Sequence, residues 1–307
     1  MEEGRLTRPG SAGPENEDVT VDPLLAAAVE ALGVTEPPAP LSPHHTHAWR
    51  TADWKIRTAD DPTAAAALLH EARAVRLLSE AKLTSHTGAY ARVGTGAWTA
   101  LAWSPGTTLW EWCAAHRDDP ADAAPRLRRI ADRAFALLRR WHAAGWRHGD
   151  LHPGNVLIGG PDDDVEFIDF ELTHHRELLP LPGPYRGGGD QATAPEIARL
   201  LLTTAAGVDL ELTDAAEVYS LGATLRWAWT GAGPATPRFV GPRVTPTDVL
   251  EDIVGGRRRV PLTEARPWAD RRLEALIEDT MALDPCTRSR TASHRIAGPG
   301  GAGPSGR

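Results

Sequence analysis

The chain has 307 residues, and its 33 Lys and Arg against 41 Asp and Glu give a formal net charge of −8. Nucleic-acid binding relies on a basic surface and a membrane span needs ~18 apolar residues in a row, so neither a nucleic-acid nor a membrane partner is expected. Two cysteines, Cys113 and Cys286, are too few for a disulfide framework or a cysteine metal cage, and a cytoplasmic location is expected.

The first hundred residues predict an extension followed by a small unit rich in strands. A loose tail over 1–21 is rich in Gly, Pro and Glu and contains no secretory signal. Asp22 predicts the N-cap of a short amphipathic helix, and Gly33 predicts its end, because glycine readily adopts a left-handed backbone. The later elements are a stiff linker over Pro37–Pro40, one or two strands over 46–57, a helix from Asp61 to about Ala81, and strands over Tyr90–Val93 and Ala97–Trp103.

The residues after a predicted hinge at Ser104–Thr107 form a larger, mostly helical unit. The predicted helical stretches are Leu109–His116, Pro125–Ala144, Asp214–Thr230 and Trp268–Leu283. Between them, the apolar runs Val156–Ile158 and Val165–Ile168 flank a polar turn and predict a β-hairpin. The tip of this hairpin, Asp162–Asp164, predicts a solvated charged turn. Residues 291–307 are rich in Gly and Ser and predict a disordered tail.

The densest cluster of reactive side chains surrounds this hairpin. The segment from His148 to Asn155 precedes the first strand, and Asp169 follows the second. Because the two open ends of a hairpin lie side by side, Asp150, Asn155 and Asp169 are predicted to converge. Their oxygen atoms suit Mg²⁺, which usually also binds phosphate. Phosphoryl transfer needs metal ions and a lysine on the phosphates and a carboxylate beside the acceptor hydroxyl, so these residues fit that reaction.

In these residues the chain resembles the protein-kinase-like superfamily. Asp150 and Asn155 match the catalytic-loop pattern His-x-Asp-x-x-x-x-Asn, and Asp169 matches the aspartate of the Asp-Phe-Gly motif. The resemblance implies that Asp150 is the catalytic base and that Asn155 and Asp169 hold Mg²⁺ on bound ATP. Lys55 and Glu71 match the family's ion pair, in which the lysine contacts the α- and β-phosphates and the glutamate orients it.

Three further motifs extend the resemblance to about residues 46–290. Ala194-Pro195-Glu196 is a complete A-P-E motif, and residues 217–222 resemble the buried helix that follows it, with Glu217 in place of the usual aspartate. Arg288 matches the late arginine that pairs with the A-P-E glutamate. The resemblance implies an α+β, two-lobed fold. Its parts are a flexible extension with a short helix (1–43), a reduced, strand-rich N-lobe (44–104), a mostly helical C-lobe (105–290) and the disordered tail (291–307).

The chain departs from the family's motifs at several positions. Between Pro14 and Lys55 the single glycine is Gly33, so the glycine-rich phosphate loop is missing and weak ATP binding is expected. Gly149 replaces the arginine that reads a phosphorylated activation loop, so control by phosphorylation of that loop is not expected. His152 stands where protein Ser/Thr kinases have a lysine, which implies a contact with the transferred phosphate.

These motifs leave the phosphate acceptor open. We expect the Ser or Thr hydroxyl of a peptide or protein, because the A-P-E motif and the helix after it are protein-kinase features. Glu171, which replaces the glycine of Asp-Phe-Gly, is similar to the kinase domains of lanthipeptide synthetases and indicates a peptide-maturation kinase with a separate lyase partner from the same gene cluster. The form of residues 148–155 is similar to small-molecule phosphotransferases acting on aminoglycosides. The missing phosphate loop leaves a pseudokinase scaffold as the non-enzyme alternative.

Overall fold

A computed structural model describes four ranges of the chain: 22–41, 47–234, 245–256 and 260–288. Antiparallel strands dominate the N-terminal part and helices the C-terminal part, which confirms the predicted α+β class and is compatible with a two-lobed, kinase-like fold. The tails predicted over 1–21 and 291–307 lie outside the described residues. In the described ranges, no helix combines the length and the apolar character needed to cross a membrane.

One antiparallel sheet forms the core of the N-terminal part, which we call the small lobe. Its strands are β1 (Ala39–Pro40), β2 (Ala48–Arg50), β3 (Trp54–Ala59), β4 (Gly88–Val93) and β5 (Gly96–Ala102). Their spatial order is β1-β2-β3-β5-β4. The prediction of a linker over Pro37–Pro40 is wrong for its last two residues, because Ala39 and Pro40 pair with Arg50 and Trp49. This strand lies at the sheet edge, where proline is tolerated since it need not donate to a second neighbour.

The first helix covers the outer face of this sheet. α1 (Pro23–Leu32) begins at Asp22, whose carboxylate accepts two backbone amides, and it ends at Gly33 with a φ of +64°, as predicted. Its buried Ala28 belongs to one apolar cluster with Ile56 of β3. Part of the predicted extension is therefore packed onto the small lobe.

The second helix covers the opposite face of the sheet. α2 (Pro62–Glu80) confirms the predicted helix and buries Leu68 in a cluster with apolar side chains of β3 and β5. Successive side chains of a strand point to opposite faces. Because Ile56 packs against α1, its neighbours Lys55 and Arg57 point to the face that carries α2. This alternation places the two cations of β3 on the side of the sheet that carries α2, where Arg57 reaches Glu171 of the C-terminal part.

The C-terminal part, which we call the large lobe, consists mainly of helices. They are α3 (Leu109–Ala115), α4 (Pro120–Ala143), α5 (Pro195–Thr203), α6 (Asp214–Thr230), α7 (Pro246–Gly255), α8 (Leu262–Ala265) and α9 (Arg271–Thr280). The short strands are β6 (Thr107–Thr108), β7 (Trp146–Arg147), β8 (Val156–Gly159), β9 (Asp164–Phe167) and β10 (His174–His175). One apolar cluster runs from Leu101 in β5 to Trp229 in α6 and joins the two lobes. The lobe boundaries given by the sequence stay predictions.

The tip of the predicted hairpin differs from its prediction. β8 and β9 pair as predicted, but Asp163 at the turn is only 4 % exposed, so the prediction of a solvated turn is wrong for this residue. Arg126 and Arg129 of α4 lie 2.6 Å and 3.2 Å from its carboxylate oxygens. The hydrogen bonds from Arg126 hold the pKa of Asp163 below its ordinary value. The arginines of α4 therefore hold the tip of the hairpin against this helix.

Candidate active site

The open end of the β8–β9 hairpin brings two of the predicted residues together. In the ladder Val156 pairs with Phe167, and the amide of Ile168 donates to the carbonyl oxygen of Asn155 at 3.1 Å. Asp169 follows directly and has a left-handed backbone with a φ of +66°. Aspartate accepts this conformation more readily than most other non-glycine residues. Asn155 and Asp169 therefore stand at the same end of the hairpin, as its register predicts.

Asp150 joins this end of the hairpin through the side chain of Asn155. Nδ2 of Asn155 donates to the carbonyl oxygen of Asp150 at 2.9 Å, and Asn155 is buried. With Nδ2 engaged, the side-chain oxygen of Asn155 is the atom that can bind a cation. The structure thus brings Asp150, Asn155 and Asp169 to one place, which we call the hairpin site.

Helix α6 fixes the backbone that carries Asp150. Oε1 of Glu217 accepts the amides of His148 at 2.8 Å and Gly149 at 2.9 Å, and its Oε2 lies 2.8 Å from Nε2 of His142. Burial acts to raise the pKa of Glu217, but the contacts with His142 and the backbone amides hold it below its ordinary value. A charged, buried carboxylate therefore anchors the loop 148–155, and glutamate serves here in place of the expected aspartate.

His148 supports the same loop from the core. It is fully buried, its Nε2 lies 3.1 Å from the carbonyl oxygen of Ile168, and its ring stacks on Trp141 with 5.7 Å between centroids. Burial lowers the pKa of His148, so the ring is neutral and its Nε2–H donates to that carbonyl. This hydrogen bond ties the start of the loop to the residue that precedes Asp169.

The carboxylate of Asp150 has two different surroundings. Its Oδ1 accepts the backbone amide of Gly189 at 2.8 Å, whereas its Oδ2 lies 3.9 Å from Nε2 of His152. Nδ1 of His152 accepts the amide of Gly154 at 3.1 Å, which leaves Nε2 as the ring nitrogen that can donate. Asp150 and His152 are both partly exposed. Oδ1 of Asp150 is therefore held by a backbone amide, whereas Oδ2 lies on the partly exposed side near His152.

The ion pair predicted between Lys55 and Glu71 is wrong in its cation. Nη1 of Arg57 lies 2.8 Å from Oε2 of Glu71, and its Nη2 lies 3.4 Å from Oε2 of Glu171. Lys55 and Arg57 share one face of β3, so the strand pattern allows either of them. The packing of α2 on the sheet places Glu71 beside residue 57, and a planar guanidinium can reach two carboxylates at once.

Buried and charged groups concentrate around this pair. Burial raises the pKa of Glu71, which is 1 % exposed, and the positive charges of Arg57 and Lys55 oppose that rise. Burial acts to lower the pKa of Arg57, but Glu71, Glu171 and Asp169 raise it. Arg57 is therefore charged and lies where the small lobe meets the residues that follow Asp169.

Sequence reasoning missed two features of this site. Arg57 carried a usable signal, because a cation two residues from Lys55 on a strand lies on the same face. The run from Gly187 to Gly189 was a second usable signal, since consecutive glycines allow a backbone to approach a neighbour closely. Neither signal identifies the partner, which is Glu71 in the first case and Asp150 in the second.

The hairpin site fits a magnesium ion that is shared with phosphate. Asp169 supplies a carboxylate and Asn155 a free side-chain oxygen, and both are hard ligands. Among the described residues, no group of three or more His, Cys, Asp or Glu could hold a metal ion. A metal at Asp169 and Asn155 would therefore take its remaining ligands from phosphate and water, which is the usual coordination of Mg²⁺ in phosphoryl-transfer sites.

A comparison with protein families agrees with this geometry. Residues 20–177, just over half of the chain, match the phosphotransferase enzyme family (APH). The matched span contains Lys55, Glu71 and the whole hairpin site. A search of curated proteins found no match for the chain.

Proposed function

Because this chain belongs to the phosphotransferase enzyme family (APH), within the protein-kinase-like superfamily, we propose that it transfers the γ-phosphate of ATP to a hydroxyl group. The observation that carries the proposal is the meeting of Asp150, Asn155 and Asp169 at one end of a hairpin. A carboxylate beside two oxygen ligands, below two cations of the small lobe, is the arrangement that phosphoryl transfer uses.

The chemistry assigns a separate task to each side chain of the hairpin site. Oδ2 of Asp150 accepts the proton of the acceptor hydroxyl while the hydroxyl oxygen forms a bond to the γ-phosphorus. The bond from that phosphorus to the bridging oxygen breaks, and ADP leaves with the electron pair. Asn155 and Asp169 would hold Mg²⁺, which when bound neutralises charge on the phosphate oxygens. We assign a contact with the transferred phosphate to His152, whose Nε2 lies 3.9 Å from Oδ2 of Asp150.

We assign the nucleotide side to the two cations of β3, Lys55 and Arg57, and the larger role there to Arg57. It is held in place by the buried Glu71, whereas Lys55 stands two residues away on the same strand face. A hydrogen bond to a charged group is worth about 1.5–3 kcal/mol, or roughly 10–100-fold in affinity. Arg57→Ala is therefore expected to raise the KM for ATP by roughly that factor, more than Lys55→Ala does.

The comparison of Arg57→Ala with Lys55→Ala needs a control, because Arg57→Ala also leaves Glu71 buried without its counter-charge. Arg57→Lys keeps a cation there, so it should recover part of the lost ATP affinity and of the melting temperature. Steady-state kinetics with varied ATP would measure all three variants. A large loss in Lys55→Ala beside a small one in Arg57→Ala would return the phosphate-binding role to Lys55.

The proposed acceptor is the Ser or Thr hydroxyl of a peptide or protein. This acceptor is supported by the segment after residue 177. The segment ends in α5, where the carboxylate of Glu196 lies 2.6 Å from the guanidinium of Arg288. A small-molecule hydroxyl is the second candidate, because the chain belongs to the phosphotransferase enzyme family and the form of residues 148–155 is similar to small-molecule phosphotransferases. The peptide-maturation alternative is supported by Glu171, which lies in the site against Arg57. In that case a separate lyase from the same gene cluster would complete the reaction.

The test of the proposed function is metal-dependent nucleotide binding followed by phosphate transfer. The wild type is expected to bind ATP with Mg²⁺, and Asp169→Asn to lose most of that binding, because the variant replaces a metal-ligating carboxylate by an amide. Calorimetry with and without Mg²⁺ measures the binding. Transfer is then measured on a panel of Ser/Thr peptides and aminoglycoside-type alcohols, which separates the two acceptor classes.

A matched variant shows whether the loss belongs to this one carboxylate. Asp118 is exposed in the turn after α3, so Asp118→Asn changes the same chemical group and should bind Mg·ATP as the wild type does. Equal affinity in Asp169→Asn and Asp118→Asn would contradict the assignment of Asp169. A wild type that binds no nucleotide and transfers no phosphate would favour the pseudokinase scaffold.

A further inference from the structure

Three consecutive glycines, Gly187 to Gly189, lie against the loop that carries Asp150. The amide of Gly189 donates to Oδ1 of Asp150 at 2.8 Å. A Cβ atom added to Gly188 would lie 2.7 Å from the carbonyl oxygen of Gly149 and 2.8 Å from Cα of Asp150, and it would overlap Oδ1 of Asp150. Such distances are shorter than carbon contacts allow. The absence of a side chain at 188 is therefore what lets this triglycine segment (187–189) reach the carboxylate.

Hydrogen bonds on both sides hold the triglycine segment in this position. Before it, the hydroxyl of the buried Tyr185 donates to the carbonyl oxygen of Gly149 at 2.9 Å, and the amide of Tyr185 donates to Asp209 at 2.6 Å. After it, the hydroxyl of Thr193 donates to the carbonyl oxygen of Gly189 at 3.2 Å. A run of glycines is ordinarily a flexible linker. Here the hydrogen bonds at both ends, and the contact with Asp150 between them, indicate that the segment has a fixed position.

The contact divides the two oxygens of Asp150 between two tasks. A carboxylate with one oxygen fixed by a backbone amide has lost its freedom to rotate about the bond to Cβ. Its second oxygen, Oδ2, then points in one direction, towards the partly exposed side near His152. General-base catalysis depends on this direction, because the base must lie within hydrogen-bond reach of the proton it accepts.

We propose that the triglycine segment is a positioning element for the acceptor side of the reaction. The amide of Gly189 holds Oδ1 of Asp150, Oδ2 faces the acceptor hydroxyl, and the bare backbone of Gly188 makes the approach possible. The segment lies beyond residues 20–177, the span matched by the phosphotransferase family. The inference rests on the proposed function, since it assumes that Asp150 accepts the proton.

The direct test is Gly188→Ala. The added methyl group pushes the segment away from Asp150, and a misplaced catalytic group can cost up to about 100-fold in rate. We expect kcat for phosphate transfer to fall by roughly 10–100-fold, while the KM for ATP and the calorimetric Mg·ATP affinity stay unchanged. The nucleotide side does not depend on this segment, so a merely structural role would not produce that split.

Two other glycines provide matched controls for the same substitution. A Cβ added to Gly183 or to Gly207 has no atom within 4 Å, and neither has a positive φ. Gly183→Ala and Gly207→Ala should therefore keep the kcat of the wild type. If Gly188→Ala behaves as these two controls do, while the wild type binds Mg·ATP and transfers phosphate, the inference is overturned and the proposed function stands.

A second pair of variants covers the case in which Gly188→Ala fails to fold. A Cβ on Gly189 would lie 3.8 Å from Oδ1 of Asp150, which is an ordinary contact. Gly189→Ala therefore keeps the backbone amide donor and causes no clash with Asp150. Gly189→Pro removes the donor. We expect the kcat of Gly189→Pro to lie about 10-fold or more below that of Gly189→Ala, with the same Mg·ATP affinity in both variants. Equal kcat values in the two variants would contradict the inference. A wild type without nucleotide binding or transfer would overturn the proposed function, and this inference with it.

Discussion

Asp150→Asn is expected to lower the rate of phosphate transfer by about 10²–10⁴-fold, which is the usual contribution of a general base. The amide keeps the size of the side chain and can still meet the amide of Gly189 through its oxygen, but it cannot accept the hydroxyl proton. Mg·ATP affinity should stay unchanged, because Asp150 faces the acceptor and not the nucleotide. Transfer at high Mg·ATP measures the first effect, and calorimetry measures the second.

Two comparisons show whether the loss is chemical. Asp118→Asn makes the same change at an exposed turn and should leave the transfer rate unchanged. Because the phosphate loop is missing from the sequence, weak ATP binding is expected in the isolated chain. The wild type should therefore be assayed both alone and with the proteins encoded beside it. If Asp150→Asn matches the wild type under both conditions, Asp150 has no catalytic role and the scaffold alternative gains support.

The hairpin site could be predicted because short-range rules determine it. A β-hairpin fixes the register of its strands, so the sequence distance from Asn155 to Asp169 specifies which residues meet at its open end. The loop before it is anchored by Glu217, whose place on a helix was also readable from the chain. Local geometry and the order of motifs were sufficient here, and no knowledge of how the lobes pack was required.

The partner of Glu71 could not be predicted, because tertiary packing decides it. Lys55 and Arg57 have the same charge and share a strand face, and only the position of α2 along β3 selects between them. The burial of Asp163 could not be predicted for the same reason, since its partners come from α4, far away in the sequence. The contact between Gly188 and Asp150 likewise arises from two loops that meet in space. In each case the residue types were visible, but the partner was not.

Glu196→Ala is expected to lower the free energy of unfolding by about 3–5 kcal/mol, because it leaves a buried charge without compensation. The predicted pair with Arg288 is confirmed: one guanidinium nitrogen lies 2.7 Å and 2.6 Å from the two carboxylate oxygens. Arg288 is fully buried whereas Glu196 is 23 % exposed, so the residue left behind cannot turn to water. At about 2–4 °C per kcal/mol, the melting temperature should fall by roughly 6–20 °C.

A double variant separates the penalty of the orphaned charge from the loss of a contact. Glu196→Leu with Arg288→Met removes both charges and keeps much of the volume, and such replacements are often neutral, so most of the lost stability should return. The exposed pair of Arg76 and Glu80, 3.0 Å apart, gives the reference, because Glu80→Ala should cost only about 0–1 kcal/mol. If Glu196→Ala costs no more than Glu80→Ala in thermal unfolding, the pair does not fasten α5 to the end of the large lobe. The segment that carries the triglycine contact would then have to be held at Tyr185 and Thr193 alone.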